Sequence, residues 1–175
     1  MIALNHGILI THLLPLLQER GVPEATAILA ASMIGPMQVA GRLAMLGVER
    51  YVSNLGITAV CFLAMGAAAL ALLSAGPASI LIVVFVVLQG SGYGVTGIMR
   101  PVVIAELLGR RNFGVLAGYL ALPFLIATAA APTIAALVWQ AGGYDRVIWL
   151  AGGLAGIRFL SILAAGAFTR QRQVA

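Results

Sequence analysis

Residues 80–100 of the chain read ILIVVFVVLQGSGYGVTGIMR, apolar as far as Leu88 and then carrying Gln89 and Tyr93 among glycines. About 20 apolar residues in a helix, at roughly 1.5 Å per residue, cross the ~30 Å hydrocarbon core of a bilayer. A membrane β-strand would instead alternate apolar and polar residues along its length, and this stretch does not. It therefore predicts a membrane-spanning helix.

The rest of the chain has the same character. Hydrophobic residues make up 62% of the 175 residues and charged residues only 9%, whereas soluble domains contain roughly 45–50% and 25% of these classes. Both a soluble globular domain and a disordered chain are excluded by this composition. Apolar stretches of helix length occupy residues 1–17, 26–48, 55–74, 78–99, 113–138 and 147–168. We therefore predict an all-α membrane protein in which residues 1–175 form a single domain of six transmembrane helices.

The first apolar stretch is the shortest of the six. Its length of about 17 residues gives roughly 25 Å, less than the hydrocarbon core, so we expect the natural helix to begin upstream of Met1. The stretch contains Asn5, His6 and His12 and has no basic segment before it, so a cleavable signal peptide is not expected. Because Cys61 is the only cysteine, no intramolecular disulfide is expected.

The arginines are divided unevenly between the two sides of the predicted bundle. All ten basic residues are arginine, and the formal net charge is +5. Seven belong to the ends of the second and fourth stretches and to the tail: Arg42, Arg50, Arg100, Arg110, Arg111, Arg170 and Arg172. Only Arg20 and Arg146 lie at the opposite joints. Because cytoplasmic segments are enriched in arginine, we predict a multi-pass protein of the cell inner (plasma) membrane with both termini cytoplasmic. The same placement makes a nucleic-acid partner unexpected.

Glycines recur at four-residue spacing in three of the stretches. The pairs are Gly90 with Gly94, Gly114 with Gly118, and Gly152 with Gly156. Small residues at this spacing allow helices in lipid to approach closely. The segment GSGYG at residues 90–94 is superficially like a phosphate-binding loop, but no strand precedes it, so no nucleotide cofactor is expected.

Polar residues within the apolar stretches share helical faces. Gln89 and Tyr93 do so in the fourth stretch, and Gln38 and Arg42 do so in the second. Polar groups at membrane depth usually face the bundle interior or a wet cavity, so these stripes fit either a solute pathway or hydrogen bonds between helices. Arg42 fits either an anchor for a carboxylate, through its forked guanidinium, or a side chain that extends to the cytoplasmic interface.

The first stretch carries a third set of polar residues. Asn5 and His12 are seven residues apart and share a face, whereas His6 is turned by roughly 100°. His12 fits either a carrier of a coupling proton, because imidazole titrates near neutral pH, or a side chain hydrogen-bonded inside the bundle. The two histidines diverge and Cys61 is distant in sequence, so no metal site is predicted.

Two segments of the chain resemble a known family. Residues 106–114, ELLGRRNFG, followed by Gly118, resemble the loop before the eleventh helix of major facilitator superfamily transporters of the monocarboxylate and oxalate/formate type. The Gly41-Arg42 pair, followed by Gly47, Glu49 and Arg50, is similar to the end of the eighth helix in that family. Two details depart from the family pattern, because Glu49 stands where aspartate is usual and its spacing to Gly47 is looser.

The resemblance implies that the six stretches correspond to helices seven to twelve of a twelve-helix transporter, arranged as a three-plus-three inverted repeat. The implied partners are the lipid bilayer, a small solute such as a monocarboxylate, a coupling proton, and either a missing N-terminal six-helix half or a second copy. The resemblance places these residues on the substrate pathway: Asn5, His12, Gln38, Arg42, Gln89 and Tyr93. It places these in a cytoplasmic gate: Arg50, Glu106, Arg110 and Arg111. Ordinary topology-setting charges are the other explanation for the second set.

Secondary active transport by alternating access is therefore the predicted function, and enzymatic activity is not expected. Two alternatives remain open at this point. The chain is a truncated or half transporter without independent activity, or it is an intramembrane serine protease with Ser91 as nucleophile. The second is disfavoured, because Ser91 lacks a glycine two residues before it and no histidine follows His12. Arg158 would fall on a peripheral helix and receives no role.

Overall fold

The computed structural model of the chain describes residues 2–77, 79–109, 111 and 113–174, with side chains to residue 167. Every regular element in this part of the chain is an α-helix. The helices are α1 (Ile2–Glu19), α2 (Glu24–Val48), α3 (Asn54–Leu73), α4 (Ile80–Leu108) and α5 (Phe113–Val174). The prediction of an all-α protein is confirmed.

Local sequence signals explain where the helices begin and end. The hydroxyl of Ser53 accepts a hydrogen bond from the Gly56 N–H at 3.2 Å, and that of Ser79 accepts one from the Leu81 N–H at 3.1 Å. These bonds cap the first turns of α3 and α4, whose N–H groups have no partner within the helix. Gly21, with φ of 75°, follows α1, and Gly109, with φ of 82°, ends α4. Both adopt a left-handed backbone that glycine accommodates without strain.

Helix α5 is interrupted at a glycine pair. Gly142 and Gly143 leave helical geometry, and Gly143 has a positive φ of 76°. Residues 113–141 and 144–174 therefore form two helical limbs. The apolar stretches predicted at residues 113–138 and 147–168 lie one on each limb.

The largest difference from the predicted bounds concerns α4, which continues past residue 99 to Leu108. Pro101 lies inside the helix without ending it. Its missing N–H removes one hydrogen bond from the ladder, but the proline ring is compatible with helical φ. The extension carries Arg100 into a contact with α5, where its Nη2 donates to the Leu120 carbonyl oxygen at 2.7 Å.

The helices pack against one another around a shared apolar core. Helix α1 packs mainly against α5, α2 packs against α4, and α3 packs against both α4 and α5. The centre of the core is formed by fully buried side chains from α1, α3, α4 and the second limb of α5, among them Ile8, Leu13, Leu17, Met65, Phe85 and Ile148. Helix α1 contributes several fully buried side chains to this core, whereas α2 is buried along only one narrow side.

Glycine governs the contact between α2 and α4. A Cβ added to Gly94 would lie 2.6 Å from the Cα of Gln38, and one added to Gly41 would lie 2.6 Å from the Cα of Ser91. One added to Gly90 would lie 2.6 Å from the Cβ of Met37. The prediction of close packing at Gly90 and Gly94 is confirmed, because the two backbones approach at distances that only glycine permits.

The other two predicted glycine pairs behave differently. Among the described residues, nothing lies within 4 Å of a Cβ built on Gly114, Gly118 or Gly156. Gly152 makes only an ordinary contact, at 3.5 Å from the Cβ of Ala69. The predicted tight contacts are therefore absent from these positions in the described part of the chain. Spacing alone does not bring a second helix to the glycine face.

The joints between helices separate into two ends of the bundle. At one end, Arg20 after α1 donates to the carbonyl oxygens of Leu73 and Ala75 at the end of α3 and forms a 2.6 Å ion pair with Asp145 of α5. At the other end, Asn54 at the start of α3 donates to Glu106 near the end of α4 at 3.1 Å. Successive helices therefore alternate in direction.

Four helices, α2 to α5, are long and apolar enough to cross a membrane. Many of their large apolar side chains point outward, including Leu43, Val60, Ile80 and Leu125, each at least half exposed. Apolar surface on this scale is what a bilayer covers. The described helices fit a membrane protein.

Candidate functional site

A buried amide pair joins α1 to α4 and the second limb of α5. Asn5 is fully buried, and its Nδ2 donates to the Ala151 carbonyl oxygen at 2.7 Å. Its Oδ1 accepts a hydrogen bond from Gln89 Nε2 at 3.3 Å. Gln89 is also fully buried, and its Oε1 has no hydrogen-bond partner. The pair therefore leaves one acceptor inside the bundle that requires water or a bound group.

His6, which follows Asn5 in α1, stacks on Tyr93, which lies one turn after Gln89 in α4. Their ring centroids lie 3.4 Å apart with planes 6° from parallel. His6 Nδ1 is buried and has no hydrogen-bond partner. Because helical geometry turns His6 away from Asn5, His6 was not among the predicted pathway residues. The contact between His6 and Tyr93 depends on how α1 packs against α4, which spacing along one helix does not give. Asn5, His6, Gln89 and Tyr93 are called the polar cluster below.

Arg42 lies on α2, beside the α4 segment that carries the polar cluster. Its Nε donates to the Gly94 carbonyl oxygen at 3.1 Å, and the side chain is otherwise exposed. Gln38, one turn before it, is half-buried, and its backbone forms the close contact with Gly94. Gln89 and Gly94 are five residues apart, or about 8 Å along the helix axis. The structure therefore brings five of the six predicted pathway residues together around one segment of α4.

No carboxylate neutralises Arg42. The chain has five acidic residues, all in the described part. The only salt bridge between described residues is the ion pair between Arg20 and Asp145. The Arg42 guanidinium therefore keeps its charge and the N–H groups beyond Nε available for another acceptor.

His12 is the predicted pathway residue that lies apart. It is seven residues from Asn5, about 10 Å along α1. Its Nε2 lies 3.4 Å from the Pro132 carbonyl oxygen, and its ring is tilted against that of Tyr144 at 6.0 Å. His12 Nδ1 is buried without a partner. His12 thus packs against both limbs of α5 near the end that holds Arg20.

The predicted gate residues do not pair with one another in the described part of the chain. Arg50 is exposed and lies over the ring of Tyr51 at 4.7 Å. Glu106 accepts its hydrogen bond from Asn54. Arg111 is exposed, and Arg110 lies outside the described residues. Arg50, Glu106 and Arg111 therefore lie at one end of the bundle, and Glu106 forms no ion pair with a described arginine.

The residues considered for other chemistry are placed as follows. The Ser91 hydroxyl donates to the Val87 carbonyl oxygen within α4, and its backbone packs against Gly41. Among the described residues, no group of three or more histidine, cysteine, aspartate or glutamate side chains is arranged to hold a metal ion. Cys61 is buried against the interface of α3 and α4.

Comparisons with protein-family models, with curated proteins and with solved structures return no match to this chain. Its function must therefore be inferred from its own side chains. These combine an unpaired guanidinium with a stacked and hydrogen-bonded polar cluster. The unpaired hydrogen-bonding atoms of this arrangement are chemically suited to a small polar group, and the positive charge of Arg42 favours an anion.

Proposed function

We propose that this chain is the C-terminal six-crossing half of a major facilitator type secondary transporter that moves a small organic anion by alternating access. The observation that carries the proposal is the uncompensated charge of Arg42 beside the polar cluster. Arg42 lies six residues, about 9 Å, before the end of α2, and the insertion cost of an arginine in a membrane helix reaches about 2.5–3.5 kcal/mol at the helix centre. A cost of this size is retained where the charge has a use, and a carboxylate is the acceptor that best matches the guanidinium fork.

The unpaired acceptors of the polar cluster support a polar occupant. Gln89 Oε1 and His6 Nδ1 are buried without partners, and buried polar atoms in native proteins are usually satisfied. A solute that carries a hydroxyl or acidic proton beside its carboxylate would supply the missing donor to Gln89. Lactate and protonated oxalate have this chemistry. We assign the coupling proton to His12, as the sequence analysis suggested.

The arrangement of the helices supports a transporter half rather than a complete pore. In the twelve-helix fold the pathway lies between the two halves, and Arg42 is exposed on the surface of this chain. We assign the missing wall to an N-terminal six-helix half or to a second copy. The six crossings of the proposal are α1 to α4 and the two limbs of α5, arranged as a three-plus-three repeat with both termini cytoplasmic.

A ligand-binding experiment tests the proposal without requiring the partner half. The purified chain in detergent is titrated with formate, oxalate, lactate and pyruvate while its thermal unfolding is followed. A carboxylate at ten times its Kd stabilises the folded state by about 1.4 kcal/mol, which corresponds to roughly 3–6 °C for a chain of this length. We expect R42Q to abolish this shift while the melting temperature without ligand is little changed.

The matched control is R146Q. Arg146 is exposed at the far end of the bundle and donates to the Ala141 carbonyl oxygen, so its loss should leave the carboxylate shift intact. The proposal fails if none of the four anions stabilises the wild-type chain, or if R42Q responds as the wild type does. Uptake of the stabilising anion into proteoliposomes, by the chain alone or with an N-terminal half, then separates a self-associating transporter from one that needs a partner.

A further inference from the structure

A second pair of arginines lines a cavity that does not include Arg42. The cavity has a volume of about 460 Å³ and lies between the C-terminal part of α4 and the two limbs of α5. Arg100 and Arg158 both contribute to its wall. Neither residue is used in the transport proposal, and the cavity is of the size that holds small ligands or part of a larger one.

Arg158 is buried although it has no counter-ion. The residue is 5% exposed. Its Nε donates to the Leu154 carbonyl oxygen of its own helix at 3.0 Å, and its guanidinium lies over the ring of Phe62 at 5.0 Å. Its Nη2 is buried and has no hydrogen-bond partner. A charged donor is thus held inside the protein with one nitrogen free, which is an arrangement that requires an acceptor.

Arg100 provides the second charge. It is half-buried, donates from Nη2 to the Leu120 carbonyl oxygen at 2.7 Å, and lies over the ring of Phe124 at 4.2 Å. The aromatic ring and the carbonyl oxygen hold the guanidinium in place at the wall of the cavity. Because both arginines are fixed by the protein, an anion that enters loses little of its binding energy to ordering them.

The rest of the wall identifies the kind of anion. Ile104, Leu107 and Ile162 make most of it apolar, and the hydroxyl hydrogen of Ser161 is already donated to the Ile157 carbonyl oxygen. The donors that face the cavity therefore come from the two guanidinium groups. No carboxylate of the described residues lies within ion-pair distance of either arginine. A small hydrated anion would have only these two groups to replace its water and would face apolar wall on its other sides. A charged group on an apolar chain would match both parts of the wall.

We propose that this cavity binds the phosphate headgroup of an anionic lipid, with Arg100 and Arg158 as its two contacts and the apolar wall against the adjoining acyl chain. Basic pockets between membrane helices bind anionic headgroups in this way. The lipid ties α4 to both limbs of α5, which have few other direct contacts with that helix. The site is independent of the transport proposal.

Native mass spectrometry of the detergent-solubilised chain tests the assignment. The chain is titrated with dioleoyl phosphatidylglycerol, with dioleoyl phosphatidylcholine as the zwitterionic match, and in a separate arm with inorganic phosphate. We expect one phosphatidylglycerol to remain bound per chain at concentrations where phosphatidylcholine is lost. Because a hydrogen bond to a charged group contributes about 1.5–3 kcal/mol, R100Q and R158Q should each weaken phosphatidylglycerol binding by about tenfold or more.

Two comparisons keep the outcome clear. R100Q removes a half-buried side chain and should fold even if R158Q does not. R146Q alters an arginine at the far end of the bundle and should bind lipid as the wild type does. Undiminished phosphatidylglycerol binding by R100Q overturns the site. Equal retention of phosphatidylcholine, or competition by inorganic phosphate at equal concentration, overturns the lipid assignment. The carboxylate response of R100Q should be normal, so that failure here is distinguishable from failure of the transport proposal.

Discussion

The glycine contact between α2 and α4 gives the most quantitative prediction, which concerns Gly94→Ala. The added Cβ would lie 2.6 Å from the Cα of Gln38 and 2.8 Å from its carbonyl carbon, whereas carbon atoms pack at about 3.5–4.0 Å. Both neighbours are backbone atoms, so no side chain can move aside. The helices must separate by about 1 Å at this point, and overpacking of this kind costs typically about 1–3 kcal/mol.

Gly97→Ala is the matched control, because nothing lies within 4 Å of the Cβ it would add. Both substitutions replace glycine by alanine inside α4, and so both gain the same helix propensity of about 1 kcal/mol. The difference between the two variants therefore isolates the steric cost. At roughly 2–4 °C per kcal/mol for a chain of this length, G94A should melt about 2–12 °C below G97A.

The single cysteine supplies the assay. Cys61 is buried in the folded chain, so a thiol-reactive fluorophore reports its exposure as detergent-solubilised protein is heated. Equal melting temperatures for G94A and G97A would refute the inference that backbone contact holds α2 against α4. A lower value for G97A than for G94A would refute it as well.

Two further predictions use the same melting assay. N5A should destabilise the chain by about 1–3 kcal/mol, because it leaves the Gln89 amide unsatisfied. The N5A/Q89A double variant should cost about 0.6–1.7 kcal/mol less than the sum of the single variants. Strict additivity would argue against the hydrogen bond between Asn5 and Gln89. R20A should cost about 2 kcal/mol or more because the carbonyl oxygens of Leu73 and Ala75 lose a charged donor. D145N should cost below about 1 kcal/mol because the Asp145 side chain is 72% exposed. Equal effects of R20A and D145N would show that the ion pair, rather than the bonds to α3, holds this end together.

The helices could be predicted from the sequence because the apolar stretches are of helix length and capping residues lie between them. Ser53, Ser79 and Gly109 mark helix ends by local chemistry, which acts within one turn and needs no other part of the chain. The apolar stretch at residues 78–99 ends before α4 does, because hydropathy marks the apolar part of a helix and not its continuation beyond that part.

The candidate site could be predicted only in part. Spacing along each helix placed Gln89 with Tyr93 and Gln38 with Arg42, because residues four apart share a face. Spacing along a helix does not predict which faces of different helices contact each other. For this reason His6 was not predicted as a site residue, although it stacks on Tyr93. The glycine pairs show the same limit, since Gly90 and Gly94 meet α2 while Gly114 and Gly118 meet no described residue.

The amino-acid sequence by itself determined that the chain is helical and suited to lipid, because burial of apolar surface and satisfaction of backbone hydrogen bonds depend on composition and local pattern. Only the tertiary structure decided the partners of its polar groups. Asn5 meets Ala151, Arg20 meets Asp145, and Arg158 shares a cavity with Arg100 across more than fifty residues. The physical reason is that helical periodicity sets the direction of a side chain about its own axis, whereas a contact also requires the rotation and distance of a second helix.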